Sequence, residues 1–187
     1  MLYRKLVIRA ALAVVAGLGI ATSSWATGTA TSSVVVTATV ATNCTISTPT
    51  VAFGAYDGVV ANATANLNNS ANSFSVKCTN SAPGVTIALG FSANATAPQR
   101  AMKDPATATP LNYNIYLPNA TTSGAGCTFT GTPTVWGNGT NGTVLTPTSS
   151  WGATTANTFT LCASVPAGQD PIAGTGYTDT VVATISF

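Results

Sequence analysis

The chain has 187 residues, of which six are basic and four acidic, so 5% is charged where about 25% is usual for a soluble domain. A net charge of +2 without a basic cluster argues against nucleic acid as a partner, because that binding depends on Lys and Arg contacts to phosphate. The absence of His removes the usual general base, and 34 threonines with few strong helix formers favour an all-β chain.

Residues 1–26 have the pattern of a secretory signal peptide. Basic side chains precede an uncharged apolar stretch of twelve residues at 10–21, and small residues at Ser24 and Ala26 then provide a cleavage site. The alternative is a membrane anchor or a buried helix, but twelve residues are too few to span a bilayer. The pattern predicts export, with no insertion in the membrane after cleavage.

An alternating strand pattern begins a few residues after this leader, within residues 27–41, which we call the N-terminal segment. One face of the alternation carries Val35, Thr37 and Thr39, as is typical of a strand that buries only its other face. The other face carries Val34, Val36, Ala38 and Val40. This run is either the first strand of a self-contained sandwich or a strand that is supplied to another molecule.

Similar alternation recurs along the rest of the chain, separated by turn signals such as Pro-Gly and Asn-Gly. Six or seven short strands at this spacing predict an all-β, immunoglobulin-like sandwich of two antiparallel sheets. A stretch rich in Ala, Asn and Thr at 60–72 is expected to be a polar loop or an irregular strand. The alternating runs lie at 74–78, 85–91, 113–117, 159–165 and 181–187.

Four cysteines lie after the leader, and an even number in an exported chain predicts two disulfides. Four thiols allow three pairings, among which their positions alone do not choose. A tetrahedral metal site needs close pairs, and spacings of 34 to 49 residues exclude it, so no metal is expected. The cysteines are Cys44, Cys78, Cys127 and Cys162.

The remaining polar residues give no candidate for catalysis, and no cofactor is expected. No nucleophile lies beside a recognisable base, and the aspartates fall in predicted loops or strand ends, where we interpret them as solvated. Trp136 and Trp151 could stack on sugars, but packing on one end of the sandwich is the favoured interpretation. The aspartates are Asp57, Asp104, Asp170 and Asp179.

The last alternating run belongs to residues 176–187, which we call the C-terminal segment. It ends on an apparent core strand without a polar tail. Together with an alternating strand at the other end of the chain, it suggests a fold that lacks one strand and receives it from another molecule. The residues expected on the edge that receives this strand are Tyr177, Val181, Ala183, Ile185 and Phe187.

The order of these motifs resembles the spore coat protein U domain proteins, which include the subunits of archaic (Csu-type) chaperone–usher pili. The resemblance covers nearly the whole chain after the leader. The motifs that carry it are the N-terminal segment running into Thr42–Ile46, the strand at 74–78, the strand at 111–117, the Val135–Thr140 loop and the Gly-Tyr-x-Asp-Thr-Val ending.

The resemblance implies an incomplete sandwich at 42–187, lacking its seventh strand, which the N-terminal segment of a neighbouring subunit fills by donor-strand complementation. It also implies a disulfide between Cys44 and Cys78, which leaves Cys127 and Cys162 for the second. The implied partners are other pilin subunits, a periplasmic chaperone and an outer-membrane usher. The implied location is a bacterial surface pilus that supports adhesion and biofilm formation.

A secreted or pilus-tip binding module, lectin-like in kind, is the alternative function. A tip subunit is expected to carry a further receptor-binding domain and to need no donor strand, whereas this chain has the length of one domain and has a candidate donor.

Overall fold

A computed structural model describes residues 28–47, 49–94, 97–107 and 109–187. The predicted signal peptide, residues 1–26, lies outside the described residues. Residues from Thr39 to Phe187 form one compact unit, and the described residues before Thr39 belong to a separate one. All regular structure in the described part of the chain is β-structure, which confirms the predicted all-β class.

Nine short strands are present within the described residues, and all their pairings are antiparallel. They form a sheet of order β1-β3-β7, a sheet of order β2-β8-β6-β5 and the pair β4-β9. The strands are β1 (Cys44–Ile46), β2 (Leu67–Asn69), β3 (Ser73–Cys78), β4 (Thr86–Leu89), β5 (Arg100–Lys103), β6 (Pro110–Tyr116), β7 (Asn157–Thr160), β8 (Cys162–Val165) and β9 (Ala183–Ser186).

One apolar core is shared by all three sheets. Along β3, β6 and β7 its members alternate with polar residues, as a strand with one buried face requires. Phe74 and Val76 come from the first sheet, Leu111 and Ile115 from the second and Ile87 from the third, and each is at most 6% exposed. Antiparallel sheets that face each other across a common core confirm the predicted immunoglobulin-like sandwich.

The predicted strand at 159–165 is two strands in different sheets. β7 pairs with β3, whereas β8 pairs with β2 and β6, so the chain changes sheets at Leu161. There the Leu161 N–H donates to the Asn72 carbonyl, which continues the register of the β3–β7 pairing by one residue, and the Ala163 N–H donates back to the Leu161 carbonyl. Because the inward residues stay in phase through this bend, the alternation in the sequence does not reveal it.

The structure contains the two expected disulfides, in the pairing that the resemblance implies. Cys44–Cys78 joins directly opposite residues of β1 and β3, with a Cα–Cα distance of 4.1 Å. Cys127–Cys162 ties the long connection between β6 and β7 to β8. Cys162 is fully buried on the side of β8 away from the main core, and the tethered connection covers it.

Trp136 and Trp151 pack inside the sandwich instead of presenting their rings to solvent. Trp136 is completely buried, its ring centroid lies 5.3 Å from that of Phe74, and its indole N–H donates to the Ile87 carbonyl. Trp151 is 8% exposed and packs against Phe159. The structure thus agrees with the packing interpretation of these residues.

Replacing either cysteine pair by alanine is expected to destabilise the domain by a similar amount. The two disulfides join residues 34 and 35 apart, and a loop of that length stabilises by about 4 kcal/mol in the chain-entropy account. Urea denaturation of the double variants C44A/C78A and C127A/C162A against the parent chain measures this. A loss below about 1 kcal/mol for either pair would contradict the expected constraint on the unfolded chain.

Candidate functional site

The N-terminal segment has no strand in its described residues, 28–41, and its apolar side chains are exposed. Val36 is 86% exposed and Val40 is 80% exposed, and Val34 and Ala38 are also exposed. Val35, on the opposite face of the predicted alternation, is 84% exposed. The two faces of the segment are therefore equally exposed in the single chain. Burial within the described chain does not explain why apolar and polar residues alternate there.

The first strand, β1, has one paired edge and one open edge. The Asn43 carbonyl accepts from the Thr79 N–H at 2.8 Å, and the Ser47 N–H donates to the Ser75 carbonyl at 2.9 Å, so odd-numbered residues bond toward β3. In an antiparallel ladder the backbone groups of successive residues point to opposite edges. Those of Cys44 and Ile46 therefore face an edge at which no strand of the described residues pairs.

The last strand, β9, has the same property at the other end of the chain. It pairs only with β4, where Ile185 lies opposite Ile87 and Ala183 opposite Leu89. Ile87 is fully buried and Leu89 is 3% exposed, whereas Ile185 and Ala183 are only half-buried. The inward side chains of β9 thus contact the core on the edge that pairs with β4, and they lack a cover on the opposite edge.

Half-buried apolar side chains concentrate along these two regions. Twelve such residues pack against the core, and nine of them lie in residues 44–56 or in the C-terminal segment. Of the predicted edge residues, Tyr177, Val181, Ala183 and Ile185 belong to this group, and Phe187 is 53% exposed. The members from the earlier region, none of which the sequence placed on an open edge, are Cys44, Ile46, Val51, Phe53 and Tyr56.

The C-terminal segment is fixed to the hairpin of β5 and β6 by polar contacts. Lys103 and Thr178 exchange backbone hydrogen bonds of 3.0 and 3.2 Å. The Asp104 carboxylate accepts from the Gly176 N–H at 3.0 Å and from the Ala106 N–H at 2.8 Å. Asp104 is 5% exposed, so its interpretation as a solvated residue is wrong: backbone N–H groups replace the water that a carboxylate needs.

A second carboxylate, that of Asp179, is also engaged instead of solvated. The Tyr113 hydroxyl donates to it at 2.5 Å, and the Asn94 amide donates to its other oxygen at 3.3 Å. Burial, followed by this hydrogen bond, raises the pKa of the Tyr113 phenol. The neutral phenol is therefore kept as a donor, and it holds the chain two residues before Val181.

Arg100, which the sequence analysis did not single out, is completely buried. Its guanidinium donates to the carbonyls of Gly90 and Trp136 at 2.8 and 2.7 Å and lies over the Phe91 ring at 4.4 Å. Burial lowers its pKa. Because the Gly90 N–H in turn donates to the Val182 carbonyl, Arg100 fixes the end of β4 against which β9 begins.

The three polar anchors had weak signals in the sequence. Arg100 is a lone basic residue beside an alternating run, and nothing in the sequence places it inside. Gly174 and Gly176 are more informative in retrospect, because a Cβ at Gly174 would overlap the Asp104 carboxylate. These two glycines, which allow close approach of a side chain, were the one sign in the sequence that the loop at 174–176 is packed against Asp104.

Among the described residues, none forms a helix of the length and apolarity that a membrane span requires. The sequence matches the family described as Spore Coat Protein U domain over residues 30–184. No curated protein sequence matches the chain.

A solved chain in the complex of chaperone CsuC with the tip adhesion subunit CsuE, a pre-assembly complex of the archaic chaperone–usher Csu pili of Acinetobacter baumannii, is similar to this chain. The TM-score is 0.48 and the identity 19%, over 80% of this chain and 40% of the solved one. The present chain thus spans less than half the length of the solved chain that it matches.

Replacing Tyr113 by Phe is expected to lower the free energy of unfolding by about 1.5–3 kcal/mol at neutral pH, because Asp179 loses a donor to its charged carboxylate. The raised pKa of Tyr113 stabilises the folded state fully below the unfolded pKa of about 10, and this contribution decreases as the pH rises further. When the pH rises above 10, the free energy of unfolding should therefore fall less in the variant, which has no phenol at this position, than in the parent. Urea denaturation from pH 7 to 11 measures both effects.

The matched control is Tyr116→Phe, on the outward-facing side of the same strand, which should change the stability little. Equal losses in the two variants would contradict an anchoring role for the Tyr113 hydroxyl.

Proposed function

Because the chain belongs to the Spore Coat Protein U domain family, we propose that it is a structural subunit of a bacterial chaperone–usher pilus that polymerises by donor-strand complementation. In this proposal residues 1–26 are a signal peptide, residues 27–41 are the donor, and residues 42–187 are the incomplete domain that accepts a donor from another copy.

The observation that carries the proposal is the incomplete cover of the core at β1 and β9. Each strand pairs on one edge only, and each presents half-buried apolar residues to the same core. An open edge beside exposed apolar surface is an aggregation hazard that a stable monomer avoids. We infer that β1 and β9, with their half-buried apolar residues, are the two walls of one groove, which we call the acceptor groove. One added strand completes it.

The N-terminal segment has the chemistry of that strand. It forms no strand in its described residues, and its sequence alternates, with Val34, Val36, Ala38 and Val40 on one face. A buried Val contributes roughly 1.5–3 kcal/mol, so three of them and the ladder hydrogen bonds are enough to hold two subunits together. A shift of one residue would place Thr37 and Thr39 in the groove, so the register is specified.

Donation to the next copy is a head-to-tail contact, which does not close and therefore builds a filament. The partners of the assembled subunit are identical or related pilins. Before assembly, a periplasmic chaperone covers the groove and an outer-membrane usher receives the subunit. The fibre then lies at the cell surface, where it supports adhesion and biofilm formation.

Replacing Val36 by Asp should abolish polymerisation, because an unpaired carboxylate in the groove costs roughly 3–5 kcal/mol. Val35→Asp is the matched control. Both valines are exposed to nearly the same extent in the single chain, at 86% and 84%, so the two variants should fold equally well. Only Val36 enters the groove. Size-exclusion chromatography and negative-stain microscopy of the exported full chains measure the polymer.

Equal polymer yields from the two variants would show that this face of the segment does not enter a groove. A stable, monomeric parent chain that is indifferent to both substitutions would favour the alternative of a secreted binding module.

A further inference from the structure

One hydroxyl, that of Thr79, holds the chain at the point where the N-terminal segment joins β1. The Thr79 Oγ1 accepts from the Asn43 N–H at 2.9 Å, and its own proton lies within donating distance of two carbonyls, that of Ala41 at 3.2 Å and that of Asn43 at 3.3 Å. The Thr79 N–H donates to the Asn43 carbonyl at 2.8 Å. Thr79 itself is half-buried. Backbone groups on both sides of Thr42 therefore lie within hydrogen-bond distance of a single residue.

The hydroxyl is needed because the backbone of Thr79 is already used. β3 ends at Cys78, and the chain then turns through Ser81, whose φ is +57°. The Thr79 carbonyl, which would accept from Asn43 if β3 continued, accepts instead from the Ala82 N–H at 3.0 Å. The side-chain oxygen takes the place of that carbonyl and extends the pairing of β1 beyond the end of its partner strand.

These bonds keep residues 41–43 extended. The Ala41 carbonyl and both backbone groups of Asn43 point to the same side, as alternate residues of a strand do. A hairpin that returned residues 34–40 along the open edge of β1 would need its turn at residues 41–43, since hairpin loops have two to five residues. That turn would break the bonds to Thr79.

We propose that Thr79 is a positioning residue that keeps the N-terminal segment from folding back into the acceptor groove of its own domain. The inference rests on the proposed function and adds to it the choice between a self-filled monomer and a filament. A copy whose groove is filled by its own N-terminal segment can neither accept a donor strand nor donate one, so it is removed from assembly. The Thr79 hydroxyl biases the segment toward donation to another copy.

The test compares Thr79→Val with Thr79→Ser in the full exported chain. Val keeps the β-branched shape and removes the hydroxyl, whereas Ser keeps the hydroxyl. Loss of about two neutral hydrogen bonds shifts the equilibrium between the extended form and the hairpin turn of residues 41–43 about tenfold toward the turn. At equal protein concentration, the ratio of monomer to polymer should therefore rise about tenfold in T79V and stay near the parent value in T79S. Size-exclusion chromatography measures it.

The melting temperature of the additional T79V monomer is a second readout, and it separates self-filling of the groove from a general loss of stability. A self-filled T79V monomer should melt at a higher temperature than the donor-deficient V36D monomer. Adding V36D to T79V should remove this difference, and adding V35D should leave it. Thr45→Val, on the outward-facing side of β1, should leave the monomer fraction unchanged.

A third measurement needs no change at Thr79. In the V36D monomer, hydrogen exchange should be slow at the Asn43 amide, which is bonded to Thr79, and fast at the Thr42 amide, which faces the open edge. Rapid exchange at both amides overturns the proposal even if T79V does not fold.

Two failures are distinguishable. If V36D abolishes the polymer but T79V and T79S have equal monomer fractions, the Thr79 inference is wrong and the proposed function stands. If V36D polymerises as V35D does, both the proposed function and the inference are wrong.

Discussion

Trp136 connects the three sheets of this domain, and the packing of the core around it depends on that connection. Its backbone N–H donates to the Ile115 carbonyl of β6, its indole N–H to the Ile87 carbonyl of β4, and its ring packs on Phe74 of β3. Its own carbonyl accepts from Arg100. A fully buried indole has its one donor satisfied, so the apolar contacts of the ring are gained without an orphaned polar group.

Two strands, β1 and β9, lie at the margins of this core and have incomplete cover. The interior of the sandwich is closed where β3, β4, β6 and β7 face one another, and their inward residues are nearly inaccessible to solvent. β1 and β9 lie outside that closed region, and each has a single partner. The C-terminal segment is nevertheless held firmly, by Asp104, Asp179 and the backbone of Lys103. An edge that is rigid before a strand arrives loses less entropy when that strand binds.

The sequence predicted those parts of the fold whose residues alternate beside a single core. The runs at 74–78 and 113–117 are strands with the expected faces inward, because alternation is the direct consequence of one buried face. The change of sheet at Leu161 was not predictable, since a bend keeps the same phase. Arg100 and Asp104 were missed because their burial depends on distant backbone groups, the carbonyls of Gly90 and Trp136 and the N–H of Gly176, which no local pattern reveals. The faces of the N-terminal segment stay a prediction.

The scarcity of charge in this chain acquires a structural meaning from these contacts. Seven charged side chains lie in residues 28–187, and three of them are used in packing: Asp104 and Asp179 hold the C-terminal segment, and Arg100 holds the end of β4. Only four remain on the surface, so copies of the domain repel one another weakly. Long-range electrostatics then contributes little to the choice of partner. In the proposed assembly, the selection then comes from short-range features, namely the register of a backbone ladder and the fit of alternate side chains, which a strand-shaped partner satisfies and an unrelated surface does not.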